Sequence, residues 1–440
     1  MSSHGDMLVI VTSTTLTSPG LLAPSGKLAM AAHWGILGTF AYLLMIPVGH
    51  TPVLLVALLV MAASSVFLIA SERRPLVREL RVPAILSAAV IVLGVVVGFG
   101  NEGWAHSLIA WAAAPILFWT WASALTEELI RKLLWVSVWV TVALSAITLL
   151  IAFTIPTGFP ASVLHPIFGG NSRGFAFGAT IAIYGTSTLM ATAPMWVVGA
   201  ILPRTSALPD RRWMIAAAVA SLVATVVSSR RATVVLAILI PIIILIAYWL
   251  TRDRSKRVTM SKRTRWFIAG GAVVLVLAAI GASFTVVVRR TFLGVVGLAT
   301  GQAQTLDERL RFEQLPRLWD EFIASPIWGQ GIGMTIDGYT RHPTRAWVFE
   351  MQYHMLLAHI GVLGAAMLIA TVVLIIIALW KAMKARPDMR PVFAVVAAAA
   401  LSILVGNALN PLLQAPGHFW SVFLLIACIN VALRPKRQTD

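Results

Sequence analysis

The chain has 440 residues and a mean hydropathy of +0.87; 59% of residues are hydrophobic and only 12% are charged. Ordinary globular chains carry about a quarter charged residues, so a water-soluble protein is excluded and the apolar excess must face lipid or other membrane helices. The formal charge of +17 would suggest nucleic acid on a soluble chain. Here the cations sit in short loops between apolar runs, where membrane topology explains them, so nucleic acid is not expected as a partner.

Residues 1–27 do not read as a signal peptide, because threonines and serines break the apolar stretch and Asp6 precedes it without a basic segment. A bilayer core of about 30 Å takes about 20 apolar residues per helix. Twelve such runs follow, near 28–48, 52–71, 83–100, 105–125, 133–156, 174–202, 212–228, 231–250, 266–287, 353–380, 391–411 and 417–434. Backbone groups in lipid must bond internally, so these runs are helices; the ten-residue alternation of an outer-membrane barrel is absent. The expected fold is an all-α polytopic membrane protein of about twelve transmembrane helices, a single integral membrane domain over residues 1–440.

Lys and Arg fix the orientation. Of the 34, 24 lie in one alternating set of loops and 10 in the other. The richer side is cytoplasmic, so both termini are inside. The ten outer residues are all arginine, and most of them lie in one large periplasmic loop, 289–352, between helices nine and ten. A loop of that length is usually functional. Within it, Leu310, Leu315, Leu318, Phe322 and Ile323 share a face at helical spacing, which predicts a short amphipathic helix at the membrane surface. Pro316 kinks it or marks its start, and Pro326 with the Gly329–Gly333 run ends it. That glycine run lacks the preceding strand and the Lys-Ser/Thr of a nucleotide loop. Glu350 stands where the chain re-enters the membrane.

Arg230 and Arg231 occupy a tight outer turn between two apolar runs. Charges there snorkel to lipid headgroups or meet an anion. Arginine suits the second role, because it binds phosphate oxygens bidentately and keeps its charge. No pair among the nine histidines has metal-site company; His354 and His359, five apart, point to different faces of a helix. No metal and no cofactor is expected. Cys428, the single cysteine, lies in an apolar run. Asn407 and Asn410 lie deep in another, where they line a cavity or bond between helices.

Several segments resemble the bacterial O-antigen ligase and polysaccharide polymerase superfamily. Phe168-Gly169-Gly170-Asn171-Ser172-Arg173-Gly174 is similar to its Asn-rich outer turn, with Ser172-Arg173 where Pro-Asn is usual. Ser228-Ser229-Arg230-Arg231-Ala232 is similar to its Ser-Arg turn, with Arg231 an extra charge. Arg311, Trp319, Ser325-Pro326 and Gly331-Ile332-Gly333 follow its order of arginine, amphipathic helix, proline and Gly-x-Gly. The stretch from Glu350 to Gly361 and Gly364 is similar to the family segment that ends in Gly-x-x-Gly. Ligases of the family begin that segment with a catalytic histidine; here the position is Glu350, and His354 follows one turn later.

The resemblance implies a GT-C-like membrane glycosyltransferase of twelve helices. It would transfer glycan from an undecaprenyl-diphosphate carrier to an acceptor hydroxyl on the periplasmic face, without metal and with inversion. Arg230, Arg231 and Arg311, supported by Arg173, would hold the diphosphate, since preorganised charge at a leaving group commonly supplies the largest catalytic term. Glu350 is then the general base or a structural ion-pair partner of those arginines, with His354 the reserve base. Two activities fit: a polymerase joining carrier-linked repeat units in exopolysaccharide or O-antigen synthesis, and an O-antigen ligase serving lipopolysaccharide biosynthesis with lipid A core as acceptor. The missing histidine tilts the reading to the polymerase. The resemblance also admits a chain-length regulator as a partner. Outside this class stands a lipid-linked glycan or solute transporter, which twelve helices suit but for which the sequence offers no internal repeat.

Overall fold

A computed structural model describes residues 26–72, 74–154, 164, 167–168, 183–228, 231–251, 306–340, 344–408 and 410–435. These residues fold as helices. The single β feature among them is an isolated bridge between Ile336 and Tyr339. The helices are α1 (Gly26–Met45), α2 (Thr51–Glu72), α3 (Arg78–Val97), α4 (Trp104–Leu108), α5 (Ala114–Ala124), α6 (Glu127–Thr154), α7 (Leu189–Ile201), α8 (Arg211–Val227), α9 (Arg231–Thr251), α10 (Leu306–Ala324), α11 (Gln352–Ala385), α12 (Arg390–Gly406) and α13 (Trp420–Leu433). A π-helical turn, Ile109–Ala113, joins α4 to α5.

Among the described residues, nine helical stretches are long and apolar enough to cross a membrane, α4, the π turn and α5 acting as one span. They coincide with nine of the twelve apolar runs, and the architecture is that of a polytopic membrane protein. Two runs yield shorter helices among the described residues. In the run 174–202 these residues form a helix over Leu189–Ile201, 13 residues long and so about 20 Å. Before it the chain makes a 3-10 turn, Tyr184–Ser187, where the Thr186 and Ser187 hydroxyls donate to the carbonyls three residues back at 2.7 and 2.9 Å. Such local bonds compete with helix propagation. The run 212–228 forms α8, 17 residues and about 25 Å long. The run 266–287 lies outside the described residues.

Burial sorts the helices. Within the apolar windows, 78% of the last span is buried but only 17% of the spans in α3 and α11. Thus α13 and α12 form the centre, and α3 and α11 pack together at the rim with valines and isoleucines such as Ile85, Val96 and Ile369 facing outward. The centre is held by large aromatics. Phe40 stacks on Trp121 at 6.0 Å and meets the Trp420 edge at 5.6 Å, geometries that add to simple area burial.

At the α3 N-terminal end, the last carbonyls of α5 are closed by side chains from afar. Arg74 donates to Ala124, Arg434 donates to Ser123 and Leu125, and Asn430 donates to Ala122 while accepting from the Val77 amide. Cations at a helix C-terminus satisfy both the orphan carbonyls and the macrodipole.

At the other end of α3, the segment from Pro326 to Gly333 is spliced into two helices by its main chain. The amides of Gln330 and Gly331 donate to Ala358 and His359 of α11 at 2.7 and 2.9 Å. The Ile332 amide donates to Gly94 of α3 at 2.9 Å, and the Gly333 carbonyl accepts from Gly103 at 3.0 Å. Gly329, Gly331 and Gly333 have φ of +75°, +81° and +76°, which L side chains adopt only under strain. Each also lies against another backbone where a β-carbon would overlap. In exchange α11 breaks at Gly361 (φ +59°, ψ −169°), and the amides of Val362 and Leu363 donate to Pro326 and Ile327 at 2.8 and 3.2 Å. The glycine run that ends the amphipathic helix is therefore a main-chain splice.

Candidate functional site

The amphipathic helix is present as α10, unbroken across Pro316, whose missing amide falls on an exposed face. Its inner edge carries Arg311, Gln314 and Leu318, spaced at helical intervals. Leu318 is fully buried against Met334, Ile336, Phe349, Met355 and Ala358, which clamps α10 to the entry of α11. That clamp brings Arg311 to Glu350: the Arg311 Nε donates to Glu350 Oε2 at 2.5 Å. Both groups are largely but not wholly withdrawn from solvent, at 25% and 17% exposure. A charge-assisted pair in that setting is stronger than one in open water. The two Nη groups of Arg311 have no partner among the described side chains.

Behind the pair runs a neutral network. Gln314, fully buried, accepts the amides of Glu350 and Met351 through its Oε1 at 2.9 and 3.1 Å. Its Nε2 donates to the Tyr339 hydroxyl at 3.2 Å, and that hydroxyl donates to the Leu310 carbonyl at 3.1 Å. The Arg317 guanidinium lies over the Tyr339 ring, 5.0 Å from its centre. The Phe349 carbonyl accepts from Gln352 Nε2 and, at 3.3 Å, from Gln414 Nε2. Neighbouring Tyr353 donates its hydroxyl to Leu404 at 2.5 Å.

Elsewhere in the loop, Glu321 is pushed above the ordinary carboxylate range, first by burial and then by the nearby charges of Asp337 and Asp320. Among the described residues, no three of His, Cys, Asp and Glu are grouped to hold a metal ion.

Of the residues singled out in the sequence, Arg311 and Glu350 meet. His354 is the third residue of α11, half-buried, with no hydrogen-bond partner among the described residues. Arg231 is the first residue of α9, and its side chain lies outside what is described, as do Arg173 and Arg230 altogether. His359 is buried with both ring nitrogens unpartnered, its ring edge-on to Trp111 at 6.4 Å. Asn407 and Asn410 do not lie within a helix. Asn407 closes the end of α12, its Oδ1 accepting the Leu413 amide at 2.9 Å, and Asn410 donates to Gly406 at 3.3 Å. They shape the turn that carries Gln414, because α12 stops at Gly406, short of the apolar run.

The three glutamines and Tyr339 escaped the sequence reading. One signal was available: Gln314 follows Arg311 by three residues, so a helix that presents one presents the other. No family model matches the chain, and no curated protein matches it significantly.

Proposed function

We propose that the chain is a membrane glycosyltransferase that moves glycan from an undecaprenyl-diphosphate carrier to an acceptor hydroxyl on the periplasmic face of the inner membrane. The observation that carries this reading is the Arg311–Glu350 pair, held where α10 packs on the entry of α11. The acceptor oxygen attacks the anomeric carbon as the bond from that carbon to the diphosphate oxygen breaks. The acceptor proton passes to the Glu350 carboxylate, and the electron pair leaves with the diphosphate. Arg311 keeps its Nε on Glu350 and offers its Nη groups to the developing phosphate charge, so base and leaving group share one guanidinium. A preformed donor at that point needs no reorganisation during the reaction.

Arg230, Arg231 and Arg173 complete the diphosphate site in this reading, and His354 is the reserve base. The twelve-helix, GT-C-like topology, with α7, α8 and the run 266–287 as the remaining spans and both termini cytoplasmic, belongs to the same proposal. Polymerisation of carrier-linked repeats is favoured over ligation to lipid A core, because Glu350 occupies the place of the histidine in the ligases that the sequence resembles.

A deletion strain complemented with wild type, Glu350→Gln, Arg230→Ala or Arg311→Ala, at matched membrane levels, tests this on surface-polysaccharide gels. Loss of long-chain glycan in the variants supports the transferase. Accumulated single carrier-linked repeats then indicate a polymerase, and accumulated long carrier-linked chains a ligase. Full complementation by all three variants sinks the site and moves a transporter to the front.

A further inference from the structure

Three glutamines from three separate elements converge on one short piece of main chain. Gln314 comes from α10, Gln352 opens α11, and Gln414 ends the 3-10 turn Leu412–Gln414. Gln314 takes the amides of Glu350 and Met351; Gln352 and Gln414 both donate to the carbonyl of Phe349. Together these four bonds hold the peptide groups on both sides of the Glu350 Cα.

The local backbone explains why such help is needed. Met351, the residue before α11, has φ −79° and ψ 75° and provides no side-chain cap. The amides of Glu350 and Met351 precede the helix and find no carbonyl of their own, and a buried unmade amide bond is costly. A Ser, Thr or Asp cap would solve this locally. This chain instead uses an amide side chain 36 residues away, on the helix that also delivers Arg311.

The chemical type fits the place. Glutamine offers an acceptor and a donor without charge. A carboxylate at position 314 would set a second anion beside Glu350 and compete for Arg311. A lysine or arginine there would compete for the Glu350 carboxylate. The Phe349 ring, fully buried beside Leu318 and Met355, anchors the same segment from its apolar side.

We propose that Gln314, Gln352 and Gln414 are positioning residues that clamp the Phe349–Met351 backbone and thereby fix where the Glu350 carboxylate stands relative to Arg311. The role rests on the reading of Glu350 as the group that takes the acceptor proton. With both flanking peptides fixed, only side-chain rotation is left to Glu350, and the bond to Arg311 removes most of that. Loosening the clamp lowers turnover without touching donor binding, because the diphosphate is held by arginines.

The test uses the full-length protein in proteoliposomes, with carrier-linked glycan isolated from a strain that lacks the chain. Gln314→Leu, Gln314→Glu, Gln414→Leu and Glu350→Gln are compared with wild type. Two readouts are taken: amide hydrogen exchange of the peptide spanning Phe349–Tyr353, and kcat, donor KM and pH profile. Gln314→Leu is expected to speed exchange at Glu350 and Met351 and to lower kcat about 10- to 100-fold, as misplacement of a reacting group by about 1 Å does, with donor KM unchanged. Gln314→Glu keeps the acceptor oxygens but adds charge, and it is expected to shift the pH profile. Gln414→Leu removes one of two donors to a carbonyl and should lower kcat about 3- to 10-fold, the worth of one hydrogen bond. It carries the test if the Gln314 variants fail to reach the membrane. Unchanged exchange overturns the clamp. Faster exchange with unchanged kcat and pH profile overturns the positioning role and leaves a structural staple. Retained turnover in Glu350→Gln overturns the underlying reading of the site, whatever the glutamine variants do.

Discussion

Gly331 lies so close to Gly98 that a β-carbon on Gly331 would overlap the Gly98 nitrogen and Cα. The two residues belong to distant parts of the chain, one in the loop that follows α10 and one at the end of α3. Their contact decides how near the loop can come to the membrane-spanning helices.

Gly331→Ala should therefore be destabilised twice, by positive φ and by steric overlap. Gly338 supplies the control: its φ is +67°, but nothing lies within 4 Å of the place a β-carbon would take. Gly338→Ala should cost about 1–2 kcal/mol, the strain of a left-handed residue alone. Gly331→Ala should cost distinctly more and lower the yield of monodisperse protein in detergent. Thermal melts of the two variants measure the difference, and equal melting points would mean that the Gly331–Gly98 approach is looser than the structure shows.

Arg311→Ala removes the bond to Glu350, and Glu350→Gln removes the negative charge from it, each at a largely buried site. A double-mutant cycle on unfolding should give a coupling of about 1–2 kcal/mol, above the exposed-pair range and below that of a fully buried pair. Arg311→Lys should recover little of it, since an ammonium cannot reproduce the planar donor set. A coupling near zero would show that the two groups stand apart in the membrane.

Glu321 predicts a pH effect of known sign. Its carboxyl is raised in the folded protein, from an ordinary value of 4.5, by burial first and then by Asp337 and Asp320. The preference of the folded state for the protonated form is intact below the ordinary value and is lost as pH rises through the raised one. Glu321→Gln should accordingly raise the melting temperature at neutral pH and leave it unchanged near pH 4, at about the ordinary carboxylate value. The bond from Gln330 to the Glu321 carbonyl, at 3.1 Å, is main-chain on that side and survives the change. An equal shift at both pH values would refute the assignment.

Cys428 is the single cysteine and is buried, which makes the chain convenient for labelling. Two exposed positions discriminate the faces. Arg309→Cys should react with an impermeant maleimide from outside intact cells, and Arg204→Cys only after permeabilisation. The reverse pattern would invert the proposed topology. A spin label at Ile323→Cys, next to exposed Trp319 on the outer apolar face of α10, should be reached by oxygen more readily than by a polar relaxant. That is the signature of a helix lying in the interface.

The helical spans were legible because a hydrophobic run of bilayer length has few other uses. Among the described residues nine emerge where expected, and α10 is the helix its apolar periodicity implied, although Ile323, expected on the face of Leu318, is exposed. In the run 174–202, hydropathy does not register the hydroxyl-to-backbone bonds at Thr186 and Ser187, which accompany the 3-10 turn before Leu189. Arg311 and Glu350 could each be picked out as charges at an outer surface, but their pairing across 39 residues is set by Leu318 packing on Phe349, which no local pattern reveals. Gln314, Gln352 and Gln414 were invisible for a different reason. A glutamine near a membrane surface reads as ordinary polarity, and its role depends on which main-chain groups a neighbouring segment leaves unpaired. The glycines were noticed as the end of the amphipathic helix, as part of a family motif and as a nucleotide loop to reject, whereas their use lies in backbone that only glycine permits.

The splice around Gly331 has a mechanical meaning. Its bonds to α3 and α11 are made by main-chain atoms, so the loop's register is insensitive to most side chains it carries, provided that the glycines stay. The loop sits like a yoke between two rods, tied to α11 through Gln330 and Gly331 and to α3 through Ile332. Residues such as Trp328, exposed on that yoke, can be exchanged to suit a different surface or partner while the carboxylate keeps its place.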